Sequence, residues 1–261
     1  MFAFLETREP VEVAFTDRHA GGPGDVLDLA EPKPGDGPGA RDVLEESIHV
    51  VAHALARGGD TAGEEPLDLP SGVAVPAVVR MRQVHAADVL TVDRTWLEDA
   101  PADPPEVDGL VTDLPGVALL VRAADCVPVL LADVERGVVG AAHAGRLGLV
   151  HGVVPGTVAR MRELGAERIV AWVGPHVCGR CYEVPAAMRE EVAAVVPESF
   201  AETSWGTPAV DVGSGILAQL RAEDVEVVDA SSCTLEDEDL HSYRREGEAA
   251  GRIGGLVWVR P

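Results

Sequence analysis

Apolar residues in this chain gather in short continuous runs more often than in strict alternation. Runs rich in Val and Ile predict strands near 11–15, 77–80, 87–92, 117–122, 127–132, 137–142, 168–173, 225–228 and 253–259. A strand that is apolar on both faces needs cover on both, so the pattern predicts an α/β protein of the layered α+β type, with mixed β-sheets flanked by helices. Apolar positions at helical spacing fall in 41–56, 155–164, 185–196 and 211–223. Pro155 and Pro185 suit a first helical turn, Asp211 an N-cap and Gly165 a C-terminal stop.

Stretches rich in Pro, Gly and acid at 31–40, 57–72 and 97–106 read as exposed loops. The apolar segments between them are too short to form separate cores. With 261 residues, no fixed-period repeat and no linker, a single domain over 1–261 is expected.

Charge narrows the partners. The chain carries 44 acidic and 21 basic residues, a formal charge of -23, which opposes the attraction that draws proteins onto nucleic acid or anionic lipid. A compact anion site remains open to it, because converging arginines can overcome the mean field locally. The start, MFAFLETREPVEV, lacks a basic n-region, and no segment reaches 18 uninterrupted apolar residues. A soluble, cytoplasmic protein is expected. Its four cysteines, Cys126, Cys178, Cys181 and Cys233, are then thiols free to pack, bind metal or react.

Three segments bear candidate chemistry. In 117–133 the pair Asp125 and Cys126 interrupts an otherwise apolar stretch, and a carboxylate there needs partners. In 138–148 an apolar run ends in His143 and passes through a glycine turn into a helical segment, a place where ligands collect. In 80–90 His85 lies between short apolar stretches. Each residue alone also fits a structural role: Cys126 as a small apolar filler, His143 as a hydrogen-bonder, His85 as a turn residue. Together, two imidazoles and a thiolate suit zinc, with copper as the alternative. The separations of 41 and 17 residues require tertiary assembly, and spacing alone does not join the three. Adjacent Arg244 and Arg245 read either as part of a solvated loop or as a clamp for an oxyanion.

Other motifs carry less. His49 and His53 lack the glutamate of a metalloprotease helix, and Cys178-Gly179-Arg180-Cys181 has neither a second CxxC nor a thioredoxin-like setting. No Walker A, GxGxxG or His-x-Glu pattern occurs. No role is assigned to Cys178, Cys181 or Cys233.

Taken in order, RQVHAADV (82–89), DGLVTD (108–113), AADCVPVLL (123–131), AAHAGRLGLVHG (141–152), VGPHVCGRCYEV (173–184), DVGSGILAQL (211–220) and SYRREGEAAGRIGGLVWV (242–259) resemble the laccase-domain family of purine nucleoside phosphorylases, also labelled multicopper polyphenol oxidases. The resemblance implies one metal held by His85, Cys126 and His143. It also implies phosphorolysis of adenosine, inosine, guanosine and methylthioadenosine, and deamination of adenosine, with purine nucleosides and phosphate as partners. Catalytic roles are expected for Cys126, His85, His143 and Asp125, and phosphate binding for Arg245, Arg244 and Arg146. One departure stands out: the family commonly reads HAGWRG where this chain reads HAGRLG at 143–148, so Arg146 replaces the tryptophan and Leu147 fills the usual arginine slot. The rival functions are a copper-dependent polyphenol oxidase, for which eight histidines without a His-x-His pair are a poor match, and a cysteine-type amide hydrolase using Cys126.

Overall fold

Two mixed sheets laid face to face bury the apolar runs. The structure is a computed structural model describing residues 2–19, 27–30, 44–45, 47–52 and 75–261. The first sheet has five strands in the order β1 (Phe2–Arg8), β2 (Val11–Thr16), β13 (Ile253–Val259), β6 (Val117–Ala123) and β3 (Ala77–Arg80). All its pairs are antiparallel except β3 with β6. The second has six: β12 (Glu226–Asp229), β9 (Val170–Val173), β7 (Val127–Asp133), β8 (Val138–Ala144), β5 (Gly109–Thr112) and β4 (Val89–Thr91). Its two outer pairs are parallel and its central pairs antiparallel.

Between the sheets, Val13, Phe15, Leu119, Val121 and Val257 pack with Leu130, Val139, Ala141 and Trp172. Helical residues 44–45 and 47–52 (α1) cover the outer face of the first sheet, where Leu44, Ile48 and Val51 share the inward face that a 3.6-residue period gives them. After the five-residue α2 (Arg94–Glu98), the remaining larger helices cover the outer face of the second sheet. These are α3 (Arg146–His151), α4 (Val153–Glu163), α5 (Ala186–Ala193) and α6 (Val212–Ala222). With cover on both faces, β6, β7, β8 and β13 are buried along their whole length, as their uninterrupted apolar character requires. A β10 (Phe200–Glu202), β11 (Pro208–Val210) hairpin, a one-turn α7 (Tyr243–Glu246) and two short 3-10 turns, Pro197–Ser199 and Gly247–Ala249, complete the described elements.

All nine expected strands form, within a residue or two. The four unforeseen strands are the half-exposed β1 and the short β5, β10 and β11. Asp211 caps α6 by accepting from Ser214 N at 2.8 Å, and Gly165 follows α4 with φ +95°. Pro185 stands one position earlier than expected, as the N-cap of α5. The expected 97–106 loop begins within α2, which Asp93 caps. The loops at 31–40 and 57–72, the ends of the expected 41–56 helix and His53 lie outside the described residues. No helix among those residues is long and apolar enough to cross a membrane.

Candidate metal centre

The turn 124–126 carries the chain from the first sheet to the second, and Cys126 stands at its far end, just before β7. Asp125 takes a left-handed φ of +91° there, a conformation that needs outside support. Its carboxylate provides it: Oδ1 accepts from the hydroxyls of Thr234 and Ser242, each at 2.7 Å, and Oδ2 from Arg244 N at 2.7 Å. Beside Cys126, the β7–β8 register sets Pro128 opposite His143 and Val127 opposite Ala144, so the end of β8 delivers its imidazole to the start of β7.

His85 arrives on the loop between β3 and β4, also with positive φ, at +60°. Asp108, fully buried ahead of β5, fixes this loop by accepting from Val84 N (3.1 Å), His85 N (3.1 Å) and Ala86 N (2.7 Å). Oδ1 of the same carboxylate lies 2.8 Å from His143 Nδ1, which leaves Nε2 of His143 as the free ligand atom. Asp108 therefore orients the His143 imidazole and fixes the backbone that carries His85. Sequence reasoning gave it no role; its signal was a carboxylate directly preceding the apolar GLV of 109–111.

The three donors converge. Cys126 Sγ lies 3.7 Å from His85 Nε2, and the imidazoles meet edge to face with centroids 4.9 Å apart. One ligand atom from each of the three residues falls within 4.8 Å of the others. Zinc bonds of about 2.0 Å to nitrogen and about 2.3 Å to sulfur place those two donors about 3.6 Å apart in a tetrahedron, so the residues fit a metal ion. Gly145 permits the approach, because a Cβ there would lie 2.8 Å from His85 Cδ2 and 3.0 Å from Cys126 Sγ.

Electrostatics favour the ligating form of Cys126 and, until a metal displaces the proton, the charged form of His143. Burial opposes ionisation of Cys126, but the His143 and His85 imidazoles outweigh it and bring the thiol down to about 6. For His143, burial is outweighed by the Cys126 thiolate and by Asp108, which raise it to about 9. Asp108 is itself held low against its burial by His143 and the backbone amides. Without metal, neutral pH therefore leaves a thiolate beside an imidazolium.

A cleft of about 980 Å³ opens at this cluster, lined in part by Gln83, Asp125, Arg146, Tyr182, Tyr243 and Arg244. Arg146 thus faces the cleft, while Leu147, in the family's arginine slot, is exposed. Arg244 lies 4.4 Å from the Tyr182 ring centroid and donates to Glu183 O at 2.7 Å. Arg245 is not among the lining residues. Its guanidinium donates to the carbonyls of Thr234 (2.7 Å), Asp237 (3.0 Å) and Leu240 and pairs with Glu246 (2.8 Å). Of the expected site residues, His85, Cys126, His143, Asp125, Arg146 and Arg244 are brought together, and Arg245 is not.

Residues 67–260 match the family described as multi-copper polyphenol oxidoreductase laccase. A Streptomyces coelicolor protein named purine nucleoside phosphorylase is 54% identical over 205 residues, covering 77% of this chain and 83% of that protein. A Corynebacterium glutamicum protein of the same name is 44% identical over 216 residues, covering 77% and 85%. Among solved structures, a Neisseria meningitidis protein superposes with a TM-score of 0.77 at 26% identity, covering 100% of this chain and 99% of that one. YlmD from Geobacillus stearothermophilus does so at 0.74 and 27%, covering 97% and 93%. By sequence, by fold and by residues able to hold a metal, the chain belongs to the laccase-domain family whose curated members are named purine nucleoside phosphorylases.

Proposed function

We propose that this protein is a cytoplasmic, metal-dependent enzyme of purine nucleosides. Its reactions are phosphorolysis of adenosine, inosine, guanosine and methylthioadenosine, and deamination of adenosine. The observation that carries the reading is the convergence of His85, Cys126 and His143 on a cleft that also presents Arg146, Arg244 and Tyr182. The names of its relatives supply the substrate class.

Zinc is the ion the donor set suits, with copper as the alternative, and bound with one position open it would supply the charge that polarises a phosphate or water oxygen. The chain does the rest. Asp108 holds His143 in the tautomer that presents Nε2, and Cys126 binds as thiolate. Arg146 and Arg244 balance phosphate charge, and the Tyr182 and Tyr243 rings offer flat surfaces to a purine. In phosphorolysis a phosphate oxygen bonds to C1′ as the bond from C1′ to the purine nitrogen breaks, and the leaving base takes up a proton. In deamination a water oxygen bonds to C6 of adenine and ammonia leaves. Asp125 acts as a positioning residue, its oxygens spent on three donors of the chain, and Arg245 acts by fixing the 234–240 loop.

A second reading has one observation in its favour: Cys126, His143 and Asp108 also form the thiolate, imidazole and carboxylate series of a cysteine hydrolase. Chelation separates the two, because a hydrolase of that kind keeps its activity without metal. Copper oxidase chemistry needs several coppers in concert, whereas the described residues hold one cluster with imidazole ligands. The test is to incubate metal-replete protein with adenosine and phosphate and separate the products. Adenine with ribose 1-phosphate establishes phosphorolysis and inosine establishes deamination, whereas unchanged adenosine overturns the proposal.

A further inference from the structure

Three cysteines take no part in the centre described above, and the fold gathers them at a second place. Cys178 and Cys181 flank a tight turn in which Cys181 N and Tyr182 N both donate to Cys178 O, at 2.9 and 3.0 Å. The turn depends on Gly179, where a Cβ would lie 2.6 Å from Asp211 Cβ. Cys233, 55 positions beyond Cys178, is brought alongside by a parallel bridge to His176, with His176 N bonded to Ser232 O at 3.0 Å and Thr234 N to His176 O at 3.1 Å. Cys178 N then approaches Cys233 Sγ at 3.5 Å, and the amides of Leu235 and Glu236 also donate to that sulfur. Amide donors of this kind stabilise a thiolate.

The sulfurs of Cys178, Cys181 and Cys233 and a carboxylate oxygen of Glu236 all lie within 4.8 Å of one another. Cys181 is buried, Cys178 and Cys233 are half-buried, and Glu236 is exposed, so the cluster is shielded yet reachable from solvent. Arg180, 4.0 Å from Glu236, offsets part of the negative charge.

We propose that Cys178, Cys181 and Cys233, with Glu236 as fourth donor, form a second site that binds Zn²⁺ as a structural ion. Three soft thiolates and one carboxylate make a closed set of four, with no position left for substrate. The ion staples the Val177–Tyr182 turn to the loop that follows Cys233. Val177 and Tyr182 line the cleft, and Thr234 holds Asp125, so the staple fixes one wall of the active cleft without entering it.

The test reads metal content and spectra, independently of any nucleoside turnover. Full-length wild type, Cys126→Ala, Cys178→Ser and the double variant are loaded with Zn²⁺, desalted and analysed, then titrated with Co²⁺ after stripping. The proposal expects two ions per chain in wild type, one in each single variant and none in the double variant. It also expects Cys126→Ala to keep a strong sulfur-to-cobalt charge-transfer band. Failure of Cys178→Ser to fold leaves the proposal testable, because the Co²⁺ spectrum of Cys126→Ala does not depend on that variant, and Glu236→Ala, exposed in the fold, should weaken Co²⁺ binding there. A Cys126→Ala protein that binds no ion would overturn the proposal. So would wild-type metal content in folded Cys178→Ser, or a Cys178–Cys181 disulfide in protein isolated with reductant.

Discussion

Asp108 illustrates how a single residue can set a site it does not enter. Its two oxygens serve His143 and three successive amides around His85, so removing the charge loosens two ligands together. Carboxylates that orient ligating imidazoles typically contribute roughly 10–100-fold to metal affinity. Asp108→Asn should therefore weaken zinc binding at this centre by about that factor, measured by chelator competition; an unchanged affinity would exclude the role. The protons follow from the same contacts. With Cys126 at about 6 and His143 at about 9, the metal-free pair holds two protons below pH 6, one between 6 and 9, and none above. Zinc needs both sites deprotonated, so binding to Cys178→Ser protein at pH 7.5 should release about one proton, and affinity should rise with pH through this window. Calorimetry in buffers of different ionisation enthalpy measures that number; zero release at pH 7.5 would contradict the assignment. At this scale the ligands were legible as residue types able to bind zinc, and it was the family pattern that joined them. Asp108 was not legible, because nothing local to Val107-Asp108-Gly109 shows that the carboxylate meets an imidazole 35 positions away.

Elements supply the closeness that the residues need. The β6–β7 turn crosses between sheets, β8 ends beside it, and Gly145 leaves room for the His85 ring and the Cys126 sulfur. Gly145→Ala should force those groups apart, lowering metal occupancy and turnover severalfold or more while far-UV circular dichroism stays near wild type. Full occupancy in the variant would show that the contact is not limiting. Strand positions were readable because both-face burial leaves β6, β7, β8 and β13 almost wholly apolar. By contrast, β1 is half exposed and ends in Glu6, Thr7 and Arg8, and β5 has four residues beginning with glycine; partners across the sheet define both, and local composition does not. The adjacent arginines could not be told apart in sequence. One turn of helix sends Arg244 to the cleft and Arg245 to the carbonyls of the preceding loop.

Across the whole molecule, the centre joins the paired strands β7 and β8 to the loop before β4, which precedes them in the chain. An ion bound there favours the folded state by mass action, by about 2.7 kcal/mol when free metal is 100-fold above Kd. For a domain near this size, each kcal/mol moves Tm by roughly 2–4 °C. Chelation should therefore lower the melting temperature of wild type by several degrees, and a smaller loss is expected of Cys126→Ala, which retains only the second site; differential scanning fluorimetry checks both. The most direct measurement follows metal content and adenine formation together as Zn²⁺ is returned to chelator-stripped protein in the presence of adenosine and phosphate. The account predicts turnover that rises in proportion to occupancy of the Cys126 centre and is absent from Cys126→Ala at every metal concentration, whereas stripped protein that releases adenine at the full rate would contradict it.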